Sequence, residues 1–298
     1  MNYTILGANG FLSDAIARHC NECGRSLSMY GLAKPTEVEC DHFGVLDLTK
    51  EEPDIEELLH ADIIVYAIGA GIQSNLQEGN ELIYHLNVSA PVKICNQLRK
   101  KGYQGIFVTL GSYFEMGETL LRRPFTEQDV LLSTSPAPND YTVSKRMLSR
   151  FVSSYTPTFR HWHLYLPTIY GMGENPKRLI PYTINAIQKG ETLHFTAGDQ
   201  VRQYVHVSEV PLILDAASKQ HLPTGIYNVP GKETISVRQL VTLIHQQLRA
   251  SLPDDCFDSA QRADTGMKYL SLDGSKLKQL TGYLPKRTIA ETLSSYLS

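Results

Sequence analysis

The run Ile63-Ile64-Val65-Tyr66-Ala67-Ile68 is apolar at every position, with no polar residue in alternation. A strand with one face in water alternates apolar and polar side chains, so an unbroken run belongs to a parallel sheet covered on both faces. The cover must be helices, and helical patterns do separate most of the β-prone segments. Strand-like stretches recur at 3–6, 27–30, 63–68, 105–110 and 162–166, while helical spacing marks 12–23, 81–101 and 141–154. Repeated βα units of this form predict an α/β fold on a doubly wound parallel sheet. Beyond residue 170, loops rich in Gly and Pro at 171–176, 223–225 and 230–231 alternate with shorter helices and isolated strands. That change predicts a smaller α/β lobe on the C-terminal side, laid over one edge of the sheet.

Charge and cysteine usage exclude several classes. The 298 residues carry 28 Lys plus Arg against 31 Asp plus Glu, a net of -3. So even a balance provides no general basic field for nucleic acid. No apolar stretch reaches the roughly 18–20 residues a spanning helix needs, so no membrane partner is expected. The first basic residue is Arg18 and a Gly-containing turn follows six residues in, unlike a secretory signal. Five unevenly spaced cysteines imply no disulfide framework. A soluble, reduced, cytoplasmic protein is the expectation. Cys20-x-x-Cys23 falls on the apolar stripe of the first helix, without a second pair or a histidine pattern, and predicts buried, inert thiols. His161 and His163 alternate on a strand, which suggests an edge or surface position without a third ligand. No metal site is expected.

Gly7-x-x-Gly10-x-x-Ser13 stands directly between the first strand and the first helix. In that context a Gly-rich loop is informative: Gly7 permits the tight turn and Gly10 lets a pyrophosphate approach the backbone at the positive end of the helix. Ser13, in the third glycine position, is small enough to keep helix and strand close. The expectation is a dinucleotide-binding (Rossmann) domain over residues 1–169 with a returning segment near 205–220, and a substrate lobe made of 170–204 and 221–298. The second strand ends at Gly31 with Lys34 three residues later, and no carboxylate occurs between Glu22 and Glu37. A missing acid with a nearby cation suits a ribose 2′-phosphate better than a hydroxyl, so NADP is favoured, with NAD still possible.

Tyr141 and Lys145 lie four apart on one helical face. An adjacent cation favours a phenolate, and Tyr141 is read as an acid/base whose pKa Lys145 pulls down. Asn139-Asp140 stands ahead of Tyr141 as a helix start. Ser112, after the strand that ends near Leu110, can project its hydroxyl at the carboxyl edge of the sheet, where doubly wound folds bind ligands.

Gly7-x-x-Gly10, Ser112 and Tyr141-x-x-x-Lys145 together resemble the extended short-chain dehydrogenase/reductase family that acts on nucleotide sugars. Asp47-Leu48, Ala67-Ile68-Gly69, Asn87 and the run Leu166-Pro167-Thr168-Ile169-Tyr170-Gly171 extend the likeness over nearly the whole chain. The resemblance implies that Ser112 holds the substrate oxygen, Tyr141 is the acid/base and Lys145 binds the nicotinamide ribose. It implies a cofactor set of Gly7, Asn9, Gly10, Phe11, Leu12, Gly31, Lys34, Asp47, Leu48, Ala67, Ile68, Gly69, Asn87, Tyr141, Lys145 and Leu166. On the substrate side it implies Ser112, Tyr113 and Thr168, with Arg202 and Arg262 as a diphosphate clamp, for which the planar guanidinium fork is suited, and Lys177-Arg178 as a nucleotide-contacting segment.

Sugar dehydratases of that family carry Thr-Asp-Glu from the Ser112 position, whereas this chain has Ser112-Tyr113-Phe114 with Glu115 one place late. Glu115 is left as a secondary candidate for substrate contact. The reading is therefore NADPH-dependent reduction of a nucleotide-linked keto sugar, a 4-keto-6-deoxy sugar by analogy with deoxysugar synthases for surface polysaccharides. An NAD-dependent 4-epimerase is the alternative, and a non-catalytic dinucleotide sensor comes third. The resemblance also implies a homodimer through a four-helix bundle of 81–101 and 141–154.

Overall fold

In the computed structural model, which describes residues 1–72, 78–260 and 267–296, the chain opens with β1 (Asn2–Leu6), α1 (Phe11–Glu22), β2 (Ser26–Gly31), β3 (His42–Val45), α2 (Ile55–Leu58) and β4 (Ile63–Tyr66). A long helix follows as α3 (Asn80–Tyr84), a π-helical stretch at His85–Ser89, and α4 (Ala90–Lys100). Next come β5 (Ile106–Ser112), α5 (Glu127–Leu131), α6 (Asp140–Ser154) and β6 (Arg160–Leu166). The remainder is β7 (Thr168–Tyr170), α7 (Leu179–Lys189), β8 (Val201–His206), α8 (Glu209–Lys219), β9 (Gly225–Asn228), β10 (Glu233–Ser236), α9 (Val237–Gln247), β11 (Tyr269–Leu270), α10 (Ser275–Thr281) and α11 (Ile289–Thr292).

Seven strands form the main sheet in the order β3-β2-β1-β4-β5-β6-β9, all parallel. The doubly wound α/β expectation is met. Strand pleating sends Ile63 and Val65 of β4 into one core with Ile16, Cys20, Ile213 and Leu214 from α1 and α8. Ile64 and Tyr66 enter the opposite core with Ile94, Cys95 and Leu98 of α4. This is why the β4 sequence shows no alternation.

A smaller sheet is centred on β8, which pairs with β10 antiparallel and with β7 and β11 in parallel. The boundary between the two sheets differs from expectation. The returning segment does not stop near residue 220: β9 pairs with β6 as the seventh main-sheet strand. Leu277 and Tyr283 also pack back into the main core, so 221–298 is shared between the lobes. β9 is only four residues long and flanked by Pro and Gly, which reads locally as loop. No helix among the described residues is long and apolar enough to cross a membrane.

Two further expectations are corrected. β6 lies between β5 and β9, so His161 and His163 are interior rather than at an edge, at 1% and 0% exposure. Cys20 is buried, but Cys23 is exposed, because α1 ends at Glu22 and the apolar stripe ends with it. His19, Cys23 and Asp215 offer ligand atoms within 4.8 Å of one another, a grouping hidden from the sequence because Asp215 comes from α8. Yet Arg25 donates to both Asp215 oxygens, at 2.5 and 2.7 Å, and His19 lies 2.8 Å from one of them. With a guanidinium already on the carboxylate, the cluster ties α8 to α1 rather than offering a cation site.

Burial opposes the Asp215 charge, but the bonds from Arg25 and His19 outweigh it and hold the carboxyl below its ordinary value. Asp215→Asn should lower stability by about 2 kcal/mol, less than for a fully buried pair because the groups retain some solvent access. A depressed folded pKa gives stability that is present above the unfolded value and lost as pH falls through the folded one. The gap between wild type and variant in urea unfolding should therefore close at acid pH.

Candidate active site

The site grows from the ends of β1, β4 and β5. Gly7 has φ of +111°, and a Cβ there would lie 2.9 Å from the Ile68 side chain, so both conformation and space require glycine. Ser13 Oγ donates to the Gly7 carbonyl at 2.6 Å and pins the loop to α1. Gly10 is the N-cap of α1 and supplies no side-chain cap, which leaves the first-turn N–H groups of Phe11 and Leu12 directed at the loop mouth. Gly31 packs on Ala8, where a Cβ would stand 2.9 Å from the Ala8 backbone nitrogen. Asn9, at φ 64°, donates to the Ala33 carbonyl at 2.7 Å and brings the loop carrying exposed Lys34 beside the glycine turn. This cradle fits a dinucleotide pyrophosphate, with Lys34 at its rim.

The other residues expected of a cofactor site are distributed around it. Asp47 is held by its own turn, accepting from Thr49 N–H, Thr49 hydroxyl and Lys50 at 3.0, 2.6 and 2.7 Å. Leu48 is buried, and its carbonyl lies 2.6 Å from His85 Nε2. Ala67 and Ile68 are partly buried after β4, and Gly69 is exposed. A Cβ on Gly69 would fall 3.2 Å from Asn87 Oδ1 and 3.8 Å from Lys145 Nζ, so this loop meets α6. Asn87 accepts from Ala70 N–H at 3.0 Å, and donates to Ala70 carbonyl and Ser144 Oγ at 2.9 Å each. Its buried amide is a brace for that loop. Leu166 is buried at the end of β6.

Asn139 caps α6, its Oδ1 accepting from Thr142 N–H at 2.9 Å, as its position before Tyr141 suggests. That start sets the register of Tyr141 and Lys145 on the face toward β5. Lys145 donates to the Leu110 carbonyl at 2.9 Å, and Ser112 terminates the same strand. Ser112 Oγ caps the following turn by accepting from Phe114 N–H at 3.2 Å. Burial pushes the Tyr141 phenol above its ordinary value; bonding to Ser112 and the Arg178 charge only partly oppose this, and Glu115 adds to it. The expected lowering by Lys145 does not occur, because its ammonium is committed to Leu110 and stands 5.7 Å from the ring centroid. Lys145 is itself pushed down by burial and raised again by Glu115.

Tyr113 is fully buried, with its hydroxyl 2.5 Å from Thr168 Oγ1. Its ring belongs to the core, not to an open pocket wall. Arg178 pairs with Glu174 at 3.3 Å, and Arg202 donates to the Val201 carbonyl at 2.9 Å and the Gln200 side chain at 3.3 Å. Burial raises the Tyr113 phenol above its ordinary value, and the charges of Arg202 and Arg178 only partly oppose this, which sets both arginines on the side of Thr168. Lys177 is exposed, and Arg262 lies outside the described residues. Glu115, a secondary candidate for substrate contact, instead points inward: Oε1 accepts from Ser112 N–H at 2.8 Å and Oε2 from Ser149 Oγ at 2.5 Å. Nothing in local spacing reveals that direction, although the four-residue step Tyr141, Lys145, Ser149 points to the helix face that meets it.

With this geometry in view, residues 3–229 match the model of the NAD dependent epimerase/dehydratase family. The chain belongs to that family. No curated protein sequence shows significant similarity to it. Among solved structures, MoeE5 in complex with UDP-glucuronic acid and NAD aligns with a TM-score of 0.82 at 18% identity, covering 100% of this chain and 99% of that one. The Thermus thermophilus UDP-glucose 4-epimerase complex with NAD gives 0.81 at 17%, covering 100% and 99%. The Bordetella bronchiseptica enzyme WbmG with NAD and UDP gives 0.80 at 18%, covering 100% and 94%. At these identities the likeness establishes the fold.

Asn87→Ala should leave the Ala70 N–H and carbonyl without their buried partner and cost about 2 kcal/mol. In parallel, isothermal titration should show weaker dinucleotide binding, because the Gly69–Ala70 loop loses its hold on α6.

Proposed function

We propose that the chain is a nicotinamide-dependent oxidoreductase that reduces a keto carbon of a nucleotide-linked sugar, with NADPH preferred and a 4-keto-6-deoxy sugar as substrate class. The observation that carries this reading is the meeting of Ser112, Tyr141 and Lys145 at the carboxyl edge of β5, beside the uncapped start of α1. The inward direction of Glu115 argues against dehydration, since that carboxylate offers no proton to a sugar in the cleft.

When bound, the dinucleotide would supply the hydride. Gly7, Gly10 and the first turn of α1 would hold its pyrophosphate, and Lys34 would face a ribose 2′-phosphate. Ser112 would hold the keto oxygen, and Tyr141 would give that oxygen its proton. The upward displacement of the Tyr141 pKa suits this direction, because the phenol stays protonated and ready as an acid. Lys145 would hold the nicotinamide ribose from its anchor on Leu110. Arg202 would hold the diphosphate through charge-assisted bonds, with Lys177 and Arg178 toward the nucleotide. A homodimer through residues 81–101 and 141–154 completes the proposal; Met147 of α6 stands 48% exposed on the outer side. A 4-epimerase is the second reading, favoured by the family and by the likeness to an NAD-bound UDP-glucose 4-epimerase.

Tyr141→Phe should lower kcat by about three orders of magnitude with dinucleotide affinity nearly unchanged. Equal activity in that variant would remove Tyr141 from the mechanism. Fluorescence titration should show tighter, exchangeable binding of NADPH than NADH, and Lys34→Ala should erase most of the preference. Tightly retained NAD after purification would instead put the epimerase first.

A further inference from the structure

Behind the Ser112–Tyr141–Lys145 site lies a second set of polar groups that the reaction as described does not use. Tyr141, Lys145 and Ser149 share one stripe of α6, and Ser149 opens onto Glu115, His163, Thr109, His161 and Cys95, none more than 1% exposed. Glu115 Oε1 accepts from Ser112 N–H at 2.8 Å, and Oε2 lies 2.5 Å from Ser149 Oγ. The chain continues through His163 Nε2 at 2.9 Å, from His163 Nδ1 to Thr109 Oγ1 at 2.8 Å, and on to His161 Nε2 at 2.9 Å. Cys95 Sγ closes it, 3.7 Å from His161 Nδ1. Gly111 makes the room: a Cβ there would fall 2.6 Å from His163 Nε2 and 2.8 Å from Glu115 Oε1.

Such a chain has two self-consistent directions, since each hydroxyl and each neutral imidazole has one proton to give. With Glu115 ionised, the thiol donates to His161, His161 to Thr109, Thr109 to His163, His163 to Ser149, and Ser149 to the carboxylate. With Glu115 protonated, every bond reverses. Burial keeps both imidazoles neutral by pushing them well below the ordinary histidine value, so the change of charge falls on Glu115. Burial raises the Glu115 carboxyl above its usual range, opposed by the bonds from Ser149 and Ser112 and the charges of Lys145 and Arg146. Tyr141 on α6 and Tyr165 on β6 also face it, both held as neutral phenols by burial.

We propose that Glu115 is a positioning residue for this site: its carboxylate fixes the Ser112 backbone and keeps Lys145 charged, and its protonation reverses the chain and slows the reaction. The proposal rests on the reading of Ser112, Tyr141 and Lys145 as the reacting set. In reduction, Tyr141 gives a proton and Lys145 acts as a cation; both hold their protons at low pH, so neither produces a loss of rate on the acid side. Glu115 does.

The test compares pH profiles of kcat for wild type, Glu115→Gln and Ser149→Ala, alongside infrared titration of the carboxyl band in the free proteins. Glutamine keeps the shape, accepts from Ser112 N–H and donates to Ser149, and so holds the chain in its protonated direction. Its kcat at neutral pH and above should fall about tenfold with KM values little changed, and the acid limb should vanish. Ser149→Ala removes a bond that favours the carboxylate, so the limb should move to higher pH by about half a unit or more. The carboxyl band missing from Glu115→Gln should titrate with the limb and move with it. A wild-type profile in Glu115→Gln, or a limb that Ser149→Ala leaves in place, overturns the proposal; the second arm decides alone if the glutamine variant does not fold. Absence of turnover with keto sugars would count against the functional reading only. The infrared arm would still decide for Glu115, and a band titrating in the ordinary carboxylate range would overturn its role.

Discussion

Ile63 and Val65 press against the layer formed by α1 and α8, while Ile64 and Tyr66 press against α4. With β4 enclosed from both sides, each crossover helix must lie on one face or the other, and the strands must run parallel. All the turns that follow strands then emerge at one edge. Gly7, Gly69 and Ser112 are distant in sequence, yet each stands at or shortly after the end of a strand at that edge. The site is a consequence of two-sided burial before it is a matter of particular side chains.

The chemistry there is governed by desolvation rather than by pairs of charges in water. Burial raises Tyr141, lowers Lys145 and raises Glu115, and the charges between them only moderate these shifts. A lysine four residues from a tyrosine is therefore not enough to make a phenolate. What its position achieves is an anchor on Leu110, facing both the Gly69 loop and the buried carboxylate.

Much of this was legible in the sequence because it rests on local patterns: the apolar run of β4, the glycine turn before α1, the Asn139 cap, and the helical spacing of Tyr141 and Lys145. What stayed hidden depends on which strand lies next to which. His161 and His163 read as an edge pair until β9 covers β6, and β9 is too short to announce itself. Glu115 read as a group facing substrate because sequence cannot tell which side of a 3₁₀ turn looks inward. Asp215 lies 190 residues from Arg25, so no spacing rule connects them. Lys34 was legible as a position, but the Asn9–Ala33 bond that brings its exposed loop beside the glycine turn was not.

The π-helical stretch at His85–Ser89 divides the long helix into two halves of different phase. A wider turn rotates everything beyond it relative to a regular α-helix, and the Tyr66 hydroxyl donates to the Leu86 carbonyl within that turn at 2.7 Å. Ahead of the step, α3 presents itself to α6; beyond it, α4 presents Ile94, Cys95 and Leu98 to the sheet. Asn87 sits at the step itself and reaches both Ala70 and Ser144. A single rod thereby serves two surfaces that a uniformly wound helix could not face at once, and the brace for the Gly69–Ala70 loop stands at the joint between them.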